Sequence, residues 1–371
     1  MEFIDLKTQQ KIIRKSLEKS LLKVLDDGQY IGGLEVSDLE KKLSLFCDAK
    51  HAIGCSNGTD ALMLALMALG IGPGDGVITV PFTYIATLES IAAVGATPVL
   101  VDVYDSTFNM DPTKIEKAIS SSEKNIKAIM PVDLFGLPAR YRLIKELAKK
   151  YDLKIIADAA QSFGASKDKK YVGTFGDITT TSFFPAKPLG CYGDGGAIFT
   201  DSDDYNEVLR SFAIHGKGSD KYDNVRIGMN SRLDTIQAAV LLEKLSIFPD
   251  EILARNKIAN SYRKRFEGLP VQCQTIPDGY NSVYAQFSIL FDSEHVRNKV
   301  QLTLRKNGIP SVIYYALSGH LQGGYKYLGY NEGDFPVSED LSKKILSLPM
   351  HPYLKESEID KIAKIIKGAL N

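Results

Sequence analysis

The chain has no tryptophan, only four cysteines and no excess of charge of either sign. The cysteines form no CxxC pair, so the sequence indicates neither a zinc or other metal site nor a disulfide framework; they are Cys47, Cys55, Cys191 and Cys273. Lysine plus arginine number 45 and aspartate plus glutamate also number 45, which argues against a general nucleic-acid binder.

Long apolar runs are missing as well. No run approaches the roughly 20 residues that span a bilayer, and the opening MEFIDLKTQQ lacks the apolar region of a signal peptide. With the unpaired cysteines, these absences predict a cytoplasmic protein with reduced thiols and without membrane or nucleic-acid partners.

The sequence does contain strands and helices in alternation. At 371 residues the chain exceeds one typical core and predicts two domains. Apolar runs that indicate strands lie at 77–80, 98–103, 127–134, 154–160 and 197–200. Helical patterns at 61–70 and 141–152 separate several of them, which predicts an α/β domain with a mostly parallel sheet. Ligands of such sheets bind beyond the carboxyl ends of the strands.

The pattern changes after about residue 245. A long charged helix is predicted over 250–269, then a strand over 282–291, a helix, turn and strand over 295–315, and a closing amphipathic helix. We therefore expect a large domain at 1–245, with an N-terminal helical segment, and a smaller α+β domain at 246–371.

Two stretches hold polar groups that could bind a ligand, one before a predicted helix and one at the end of a predicted strand. Gly58 and Thr59 stand just before a helix, where free N–H groups and a hydroxyl suit a phosphate, although Thr59 or Asp60 could simply cap that helix. Asp158 ends a hydrophobic strand and needs a partner there. A metal, a hydroxyl, a protonated ring nitrogen or a helix cap would each serve.

Two further stretches add an aromatic ring and an amine. Phe82 and Tyr84 follow another strand, where a ring could stack on a flat ligand or pack in the core. Lys187 lies on a Pro-x-Lys-Pro bridge with Ser182 before it and Gly-Asp-Gly-Gly after it. A lysine held near a strand end can form a Schiff base with a carbonyl; the alternative is a solvated surface lysine.

One ligand would account for these stretches together. Pyridoxal phosphate (PLP) has a phosphate, a flat ring, a pyridine nitrogen and an aldehyde that needs a lysine. Gly58 with Thr59, then Phe82, Asp158 and Lys187 match these parts in turn.

Six motifs resemble the DegT/DnrJ/StrS nucleotide-sugar aminotransferases, and the resemblance extends over nearly the whole chain. They are NGTDAL (57–62), PFTYIAT (81–87), IIADAAQSFGA (155–165), SFFPAKPLGCYGDGGAIFT (182–200), GMNSRLDTIQAA (228–239) and LPMHPYL (348–354). The opening MEFIDLKTQQ, the GQYIGG stretch and the lysine motif are most similar to the branch that aminates carbon 3 of UDP-linked 3-oxo sugars. Its notable substrate is UDP-2-acetamido-2-deoxy-3-oxo-glucuronate, used in O-antigen and lipopolysaccharide assembly.

The resemblance implies a PLP-dependent aminotransferase of fold type I that takes its amino group from L-glutamate and releases 2-oxoglutarate. Lys187 would carry the cofactor and move the proton. Asp158 would pair with the ring nitrogen, Phe82 would stack on the ring, and Gln161 would approach the ring hydroxyl.

The resemblance also implies a homodimer with shared active sites. Gly58, Thr59 and Ser182 would hold the phosphate, with Asn230 reaching in from the partner subunit. Arg232, in the same segment, would contact the sugar or its carboxylate.

The chain departs from the family where the sugar is expected. Many relatives begin this segment with His-Tyr-Pro, whereas this chain has Tyr314-Tyr315-Ala316, and His320 remains. Tyr314, Tyr315 and His320 are therefore expected substrate contacts, and the exact sugar stays open. The alternatives are a dTDP-3-oxo-6-deoxyhexose, a 4-oxo nucleotide sugar, or a catalytically silent PLP-binding regulatory protein.

Overall fold

The computed structural model describes residues 1–220 and 222–370. The α-helices are α1 (Leu6–Asp27), α2 (Leu34–Cys47), α3 (Gly58–Ala68), α4 (Ala86–Ala93), α5 (Ile115–Ser121), α6 (Tyr141–Tyr151), α7 (Asp203–Ala213), α8 (Thr235–Phe266), α9 (Glu294–Lys306), α10 (Pro336–Lys344) and α11 (Glu356–Leu370). The strands are β1 (His51–Cys55), β2 (Asp75–Thr79), β3 (Thr97–Leu100), β4 (Asn125–Ile129), β5 (Lys154–Asp158), β6 (Ser166–Lys167), β7 (Lys170–Tyr171), β8 (Ile178–Ser182), β9 (Gly196–Thr200), β10 (Gln272–Cys273), β11 (Tyr280–Asn281), β12 (Phe287–Leu290) and β13 (Ile345–Leu348). Short 3₁₀ turns lie at Pro112–Lys114, Leu134–Gly136, Gly319–Leu321 and Gly323–Leu328.

A seven-stranded sheet in the order β1-β9-β8-β5-β4-β2-β3 forms the centre of the molecule. The neighbours from β8 through β5, β4 and β2 to β3 run parallel, and β9 is antiparallel to both β1 and β8. Helix α3 packs on β8 and β9, and α6 packs on β4 and β5. The predicted α/β fold with a mostly parallel central sheet is confirmed.

Strand β8 was not predicted, because its sequence Ile-Thr-Thr-Thr-Ser carries four hydroxyls. It is nevertheless buried, since threonine is β-branched and its hydroxyl can donate to a neighbouring strand. Thr180 donates to the carbonyl of Ala157 at 3.4 Å, and Thr181 donates to that of Ala159 at 3.0 Å. These bonds to the β5 side remove the cost of burying the hydroxyls of Thr180 and Thr181.

The sheet brings the predicted chemical residues to one edge. Strand β5 ends at Asp158, which lies opposite Thr180 in the register of β5 and β8. Strand β8 ends at Ser182, and the loop from β8 to β9 carries Lys187. Helix α3 begins at Gly58, directly after β1. The carboxyl ends of parallel strands thus meet where a ligand is expected.

The C-terminal part builds a second core. The antiparallel sheet β10-β12-β13 packs with α9, α11 and the end of α8. Along α8, Phe248 and Ile252 belong to the core of the large sheet, whereas Ile258 and Tyr262 belong to the second core. The predicted boundary between 245 and 246 lies inside this continuous helix, and the division at that point stays a prediction.

Part of the predicted small domain packs against the large domain. The N–H of Gly319 donates to the carbonyl of Pro81 at 2.7 Å. The carboxylate of Asp102 accepts from the N–H groups of Val337 and Ser338, both at 2.9 Å, at the start of α10. These long-range bonds hold residues 319–338 over the edge of the large sheet.

Within residues 1–220 and 222–370, every helix is too short or too polar to cross a bilayer.

Candidate active site

A cavity of about 590 Å³ opens at the carboxyl edge of β5 and β8. Eight of the predicted site residues line it: Gly58, Thr59, Asp158, Gln161, Ser182, Lys187, Tyr314 and Tyr315. Tyr84, the second ring of the predicted aromatic stretch, lines it too, and so do residues that the sequence prediction did not name, among them Thr83, Thr87 and Gln286.

One end of the cavity is the start of α3. The side chain of Asn57 accepts from the N–H of Asp60 at 2.8 Å, so Asn57, rather than Thr59 or Asp60, caps the helix. A Cβ atom on Gly58 would lie 2.7 Å from the Cβ atom of Ser182, so only glycine lets α3 begin this close to β8. The first amides of a helix lack acceptors within it. With the hydroxyls of Thr59 and Ser182 they form a cradle for a phosphate.

Asp158 lies in the floor of the cavity and is 4% exposed. Its carboxylate accepts from the hydroxyl of Thr87 at 2.8 Å and from the N–H of Ala160 at 3.2 Å. Burial raises the pKa of Asp158, and the bonds from Thr87 and Ala160 and the charge of Lys187 oppose that rise. A buried carboxylate held in this way suits a protonated ring nitrogen.

A tight loop presents Lys187 to the same cavity. Its N–H donates to the carbonyl of Phe184 at 2.8 Å. A Cβ atom on Gly190 would lie 2.6 Å from the carbonyl oxygens of Phe184 and Pro185, so glycine is required where the loop closes. Burial lowers the pKa of Lys187 to about 8, against the opposing charge of Asp158. Near neutral pH, part of the amine is therefore unprotonated and can attack a carbonyl.

Gln161 connects two sides of the cavity. Its Oε1 accepts from the N–H of Phe135 at 2.7 Å, and its Nε2 donates to the phenol oxygen of Tyr315 at 3.0 Å. The Tyr315 hydroxyl keeps its own hydrogen for a further acceptor. Burial raises the pKa of Tyr315 well above its usual range, so the phenol stays protonated.

The structure corrects the predicted role of Phe82. This side chain is fully buried and packs edge-to-face on Phe135 and Tyr315, with ring centroids 6.5 and 6.1 Å apart. Among the described residues, those that line the cavity include Tyr84, which is 58% exposed, and not Phe82. The chain bends over residues 81–83, and the alternation of a strand therefore does not continue past β2.

The structure also corrects the predicted role of His320. Its Nε2 lies 3.1 Å from Oε1 of Glu339, and its ring packs edge-to-face on Phe335 with centroids 4.8 Å apart. It is buried and, in the described part of the chain, lies outside the set that lines the cavity. His320 therefore fixes the turn at Gly319–Leu321 to α10 and does not line the Lys187 cavity.

Asn230 and Arg232 line a neighbouring cavity of about 520 Å³, where Ile31 also lies. The two cavities share Asn57 and Asp194. Within one chain, Asn230 and Arg232 are therefore beside the Lys187 cavity and not in it.

Known proteins resemble this chain over its full length. A UDP-2-acetamido-2-deoxy-3-oxo-D-glucuronate aminotransferase of Pseudomonas aeruginosa is 45% identical, covering 100% of this chain and 99% of the relative. A DegT DnrJ EryC1 StrS aminotransferase from Brucella abortus, solved by crystallography, is 49% identical with a TM-score of 0.95 and 99% coverage of both chains.

A Bacillus subtilis crystal structure with bound cofactor PMP, pyridoxamine phosphate, is 30% identical with a TM-score of 0.89, covering 99% of this chain and 83% of that one. The model of the DegT/DnrJ/EryC1/StrS aminotransferase family matches residues 11–367. The predicted family is confirmed: the chain belongs to the DegT/DnrJ/EryC1/StrS aminotransferases.

Proposed function

We propose that this protein is a PLP-dependent aminotransferase that transfers the amino group of L-glutamate to a nucleotide-linked keto sugar. The observation that carries the proposal is one cavity with Lys187 and Asp158 in its interior and the cradle of Gly58, Thr59 and Ser182 at one end. An amine, a carboxylate and an anion cradle are the three groups that PLP requires.

The residues present fit that cofactor. The amides of Gly58 and Thr59 and the hydroxyls of Thr59 and Ser182 would hold the phosphate. Asp158 would hold the ring nitrogen, and Tyr84, which lines the cavity, would pack against the ring in place of Phe82. When bound, PLP supplies an electron-poor ring that stabilises negative charge on the substrate carbon that bears the amino group.

The side chains of this protein then have two tasks. The carboxylate of Asp158 keeps a proton on the ring nitrogen, because an anion beside a basic nitrogen favours its charged form. The amine of Lys187, with its pKa lowered to about 8, takes a proton from one carbon and returns it to another. One group can serve in both directions, so the same lysine would serve the glutamate half and the sugar half of the reaction.

We also propose a homodimer with shared active sites. The exposed large apolar side chains include Ile31, which lines the neighbouring cavity, and Phe184, which lines the Lys187 cavity, together with Leu25, Tyr30, Leu34 and Ile227. Exposed apolar side chains at a site support an interaction surface there. A second copy that covers it would bring its own Asn230 and Arg232 towards the Lys187 cavity of the first.

For the sugar we propose a UDP-linked N-acetyl-3-oxo-hexuronate, aminated at carbon 3 in the cytoplasm for O-antigen or other surface polysaccharide. The support is the 45% identity with the Pseudomonas aeruginosa enzyme that has such a substrate in its name. A buried uronate carboxylate needs a paired cation, and Arg232 is the one we assign. The hydroxyls of Tyr314 and Tyr315 would add hydrogen bonds, because both residues line the cavity.

The test is a single half-reaction with a panel of nucleotide-linked amino sugars. Each is added to the PLP form without 2-oxoglutarate, and the conversion to the pyridoxamine form is followed by absorbance. We expect the UDP-linked 3-amino uronate to react fastest, and Arg232→Ala to slow it far more than it slows a 6-deoxy amino sugar. Preference of the wild type for a dTDP-linked 6-deoxy or a 4-amino sugar would contradict the uronate. Failure with every sugar and with glutamate would contradict the enzyme and favour a silent regulatory protein.

A further inference from the structure

Two threonines that the sequence analysis did not name connect the cavity to Asp158. The hydroxyl of Thr87, which is 1% exposed, donates to Oδ2 of Asp158 at 2.8 Å. The hydroxyl oxygen of Thr83 lies 2.9 Å from that of Thr87, and both residues border the cavity. Thr87 is in the first turn of α4, and Thr83 lies four residues earlier, in the bend before the helix.

The direction of this chain of hydrogen bonds follows from the charge of Asp158. An ionised carboxylate can only accept, so the single hydrogen of Thr87 goes to Asp158. The oxygen of Thr87 then accepts the hydrogen of Thr83. Both O–H dipoles therefore point their positive ends towards Asp158, and each bond strengthens the other. If Asp158 were protonated, it could donate its own hydrogen to Thr87, and the hydrogen bonds could run in the opposite direction.

Because of its surroundings, the carboxylate of Asp158 needs hydrogen-bond donors to stay ionised. The titratable groups that interact with it are Lys187, Asp133, Tyr141 and Tyr315. Burial raises the pKa of Asp133 to about 7, and the charge of Asp158 adds to that rise. Lys187 is the cation of this group, and its charge is lost whenever it acts as a neutral amine. Among the residues that the structure describes, those that donate hydrogen bonds to the carboxylate of Asp158 are Thr87 and Ala160.

We propose that Thr87, supported by Thr83, is a positioning residue that holds Asp158 ionised and aimed at the ring nitrogen of PLP. The inference rests on the proposed function, because it assumes that PLP occupies this cavity with its ring nitrogen at Asp158. Thr87 acts through Asp158 and contacts neither substrate nor reacting atoms.

The test compares two ligands that differ only at the ring nitrogen. Dissociation constants of PLP and of its analogue with CH in place of that nitrogen are measured by equilibrium dialysis on the apo protein. Thr87→Val keeps the shape and removes the hydroxyl, and we expect it to lose about tenfold or more of the preference for PLP, as expected for a bond to a charged group. Thr87→Ser should keep most of the preference.

Thr179 provides a matched control in the neighbouring strand. It is also 1% exposed, and its hydroxyl has no hydrogen-bond partner in the part of the chain that the structure describes. Thr179→Val should leave the preference at the wild-type value. Thr83→Val, which keeps Thr87, should reduce the preference by a smaller factor than Thr87→Val and gives a second measurement if Thr87→Val does not fold.

Different results would contradict the role of Thr87, the pairing of Asp158 with the ring nitrogen, and the proposed function. Unchanged preference in folded Thr87→Val, or an equal loss of affinity for both ligands, would overturn the role of Thr87. If Thr87→Val does not fold, unchanged preference in Thr83→Val overturns it. A wild type that binds neither ligand would overturn the proposed function and this inference with it. A wild type that binds both equally would overturn the pairing of Asp158 with the ring nitrogen.

Discussion

Gly58 and Ser182 approach so closely that a Cβ atom on the glycine would lie 2.7 Å from the Cβ atom of the serine. This contact joins the start of α3 to the end of β8 and forms the anion cradle. The helix start contributes free amides to the cradle, and the strand end contributes the Ser182 hydroxyl.

We predict that Gly58→Ala opens the cradle and weakens PLP binding by about 1–3 kcal/mol, the usual cost of overpacking. Pyridoxal, which lacks the phosphate, should lose much less affinity. Gly324→Ala is the control, since no atom lies within 4 Å of its added Cβ atom. Equal losses for PLP and pyridoxal would show that the cradle does not bind the phosphate.

We expect substitution of Phe82 to lower the free energy of unfolding and substitution of Tyr84 to weaken cofactor binding. Phe82→Ala removes a fully buried ring and should cost about 3–5 kcal/mol in the free energy of unfolding, measured with urea. Tyr84→Ala removes a ring that is 58% exposed, and should leave stability nearly unchanged while it weakens PLP binding severalfold. The opposite pattern would restore the original assignment of Phe82.

The lowered pKa of Lys187 should appear in the pH dependence of cofactor uptake. The neutral amine attacks the aldehyde, so the rate at which apo protein takes up PLP should rise with pH and reach half its maximum at about pH 8. Because the folded pKa is below that of the unfolded chain, this lysine also makes the apo protein more stable as pH rises from about 8 towards 10.5. An uptake rate that is independent of pH from 6 to 10 would argue against Lys187 as the attacking amine.

The shared site can be tested by mixing two inactive variants. Lys187→Ala and Asn230→Ala should each be inactive as pure dimers. After subunit exchange at equal concentrations, half the dimers are mixed and each holds one intact site, so roughly one quarter of wild-type activity should return. The exchange itself is checked by native mass spectrometry of differently tagged subunits. Mixed dimers without activity would place Asn230 outside the partner's site.

The sequence predicted β2, β3, β4 and β5 of the parallel part of the sheet, because each of them overlaps a short apolar run. It did not predict β8, in which Thr180 and Thr181 donate their hydroxyls to carbonyls of Ala157 and Ala159, because composition does not reveal such bonds. It predicted Lys187 and Asp158 correctly as residues of one cavity, since strand order brings consecutive strand ends together.

The errors arose where the chain bends. Phe82 and Tyr84 are indistinguishable by residue type, and only the bend at 81–83 decides which ring lines the cavity. His320 was placed near the sugar, but Glu339 holds it in the packing against α10. The hydroxyls of Thr83 and Thr87, four residues apart in the stretch after β2, are a weak signal of this site in the sequence.

The central claim is that Lys187 carries the cofactor. The purified protein, loaded with PLP, is reduced with borohydride, digested and mapped by mass spectrometry. The account predicts a pyridoxyl phosphate adduct on the peptide that contains Lys187, and no stable adduct in Lys187→Ala. An adduct on Lys187 must be distinguished from one on Lys244, because burial lowers the pKa of Lys244 to about 8 as well. A label on Lys244, or on any lysine other than Lys187, would contradict the account.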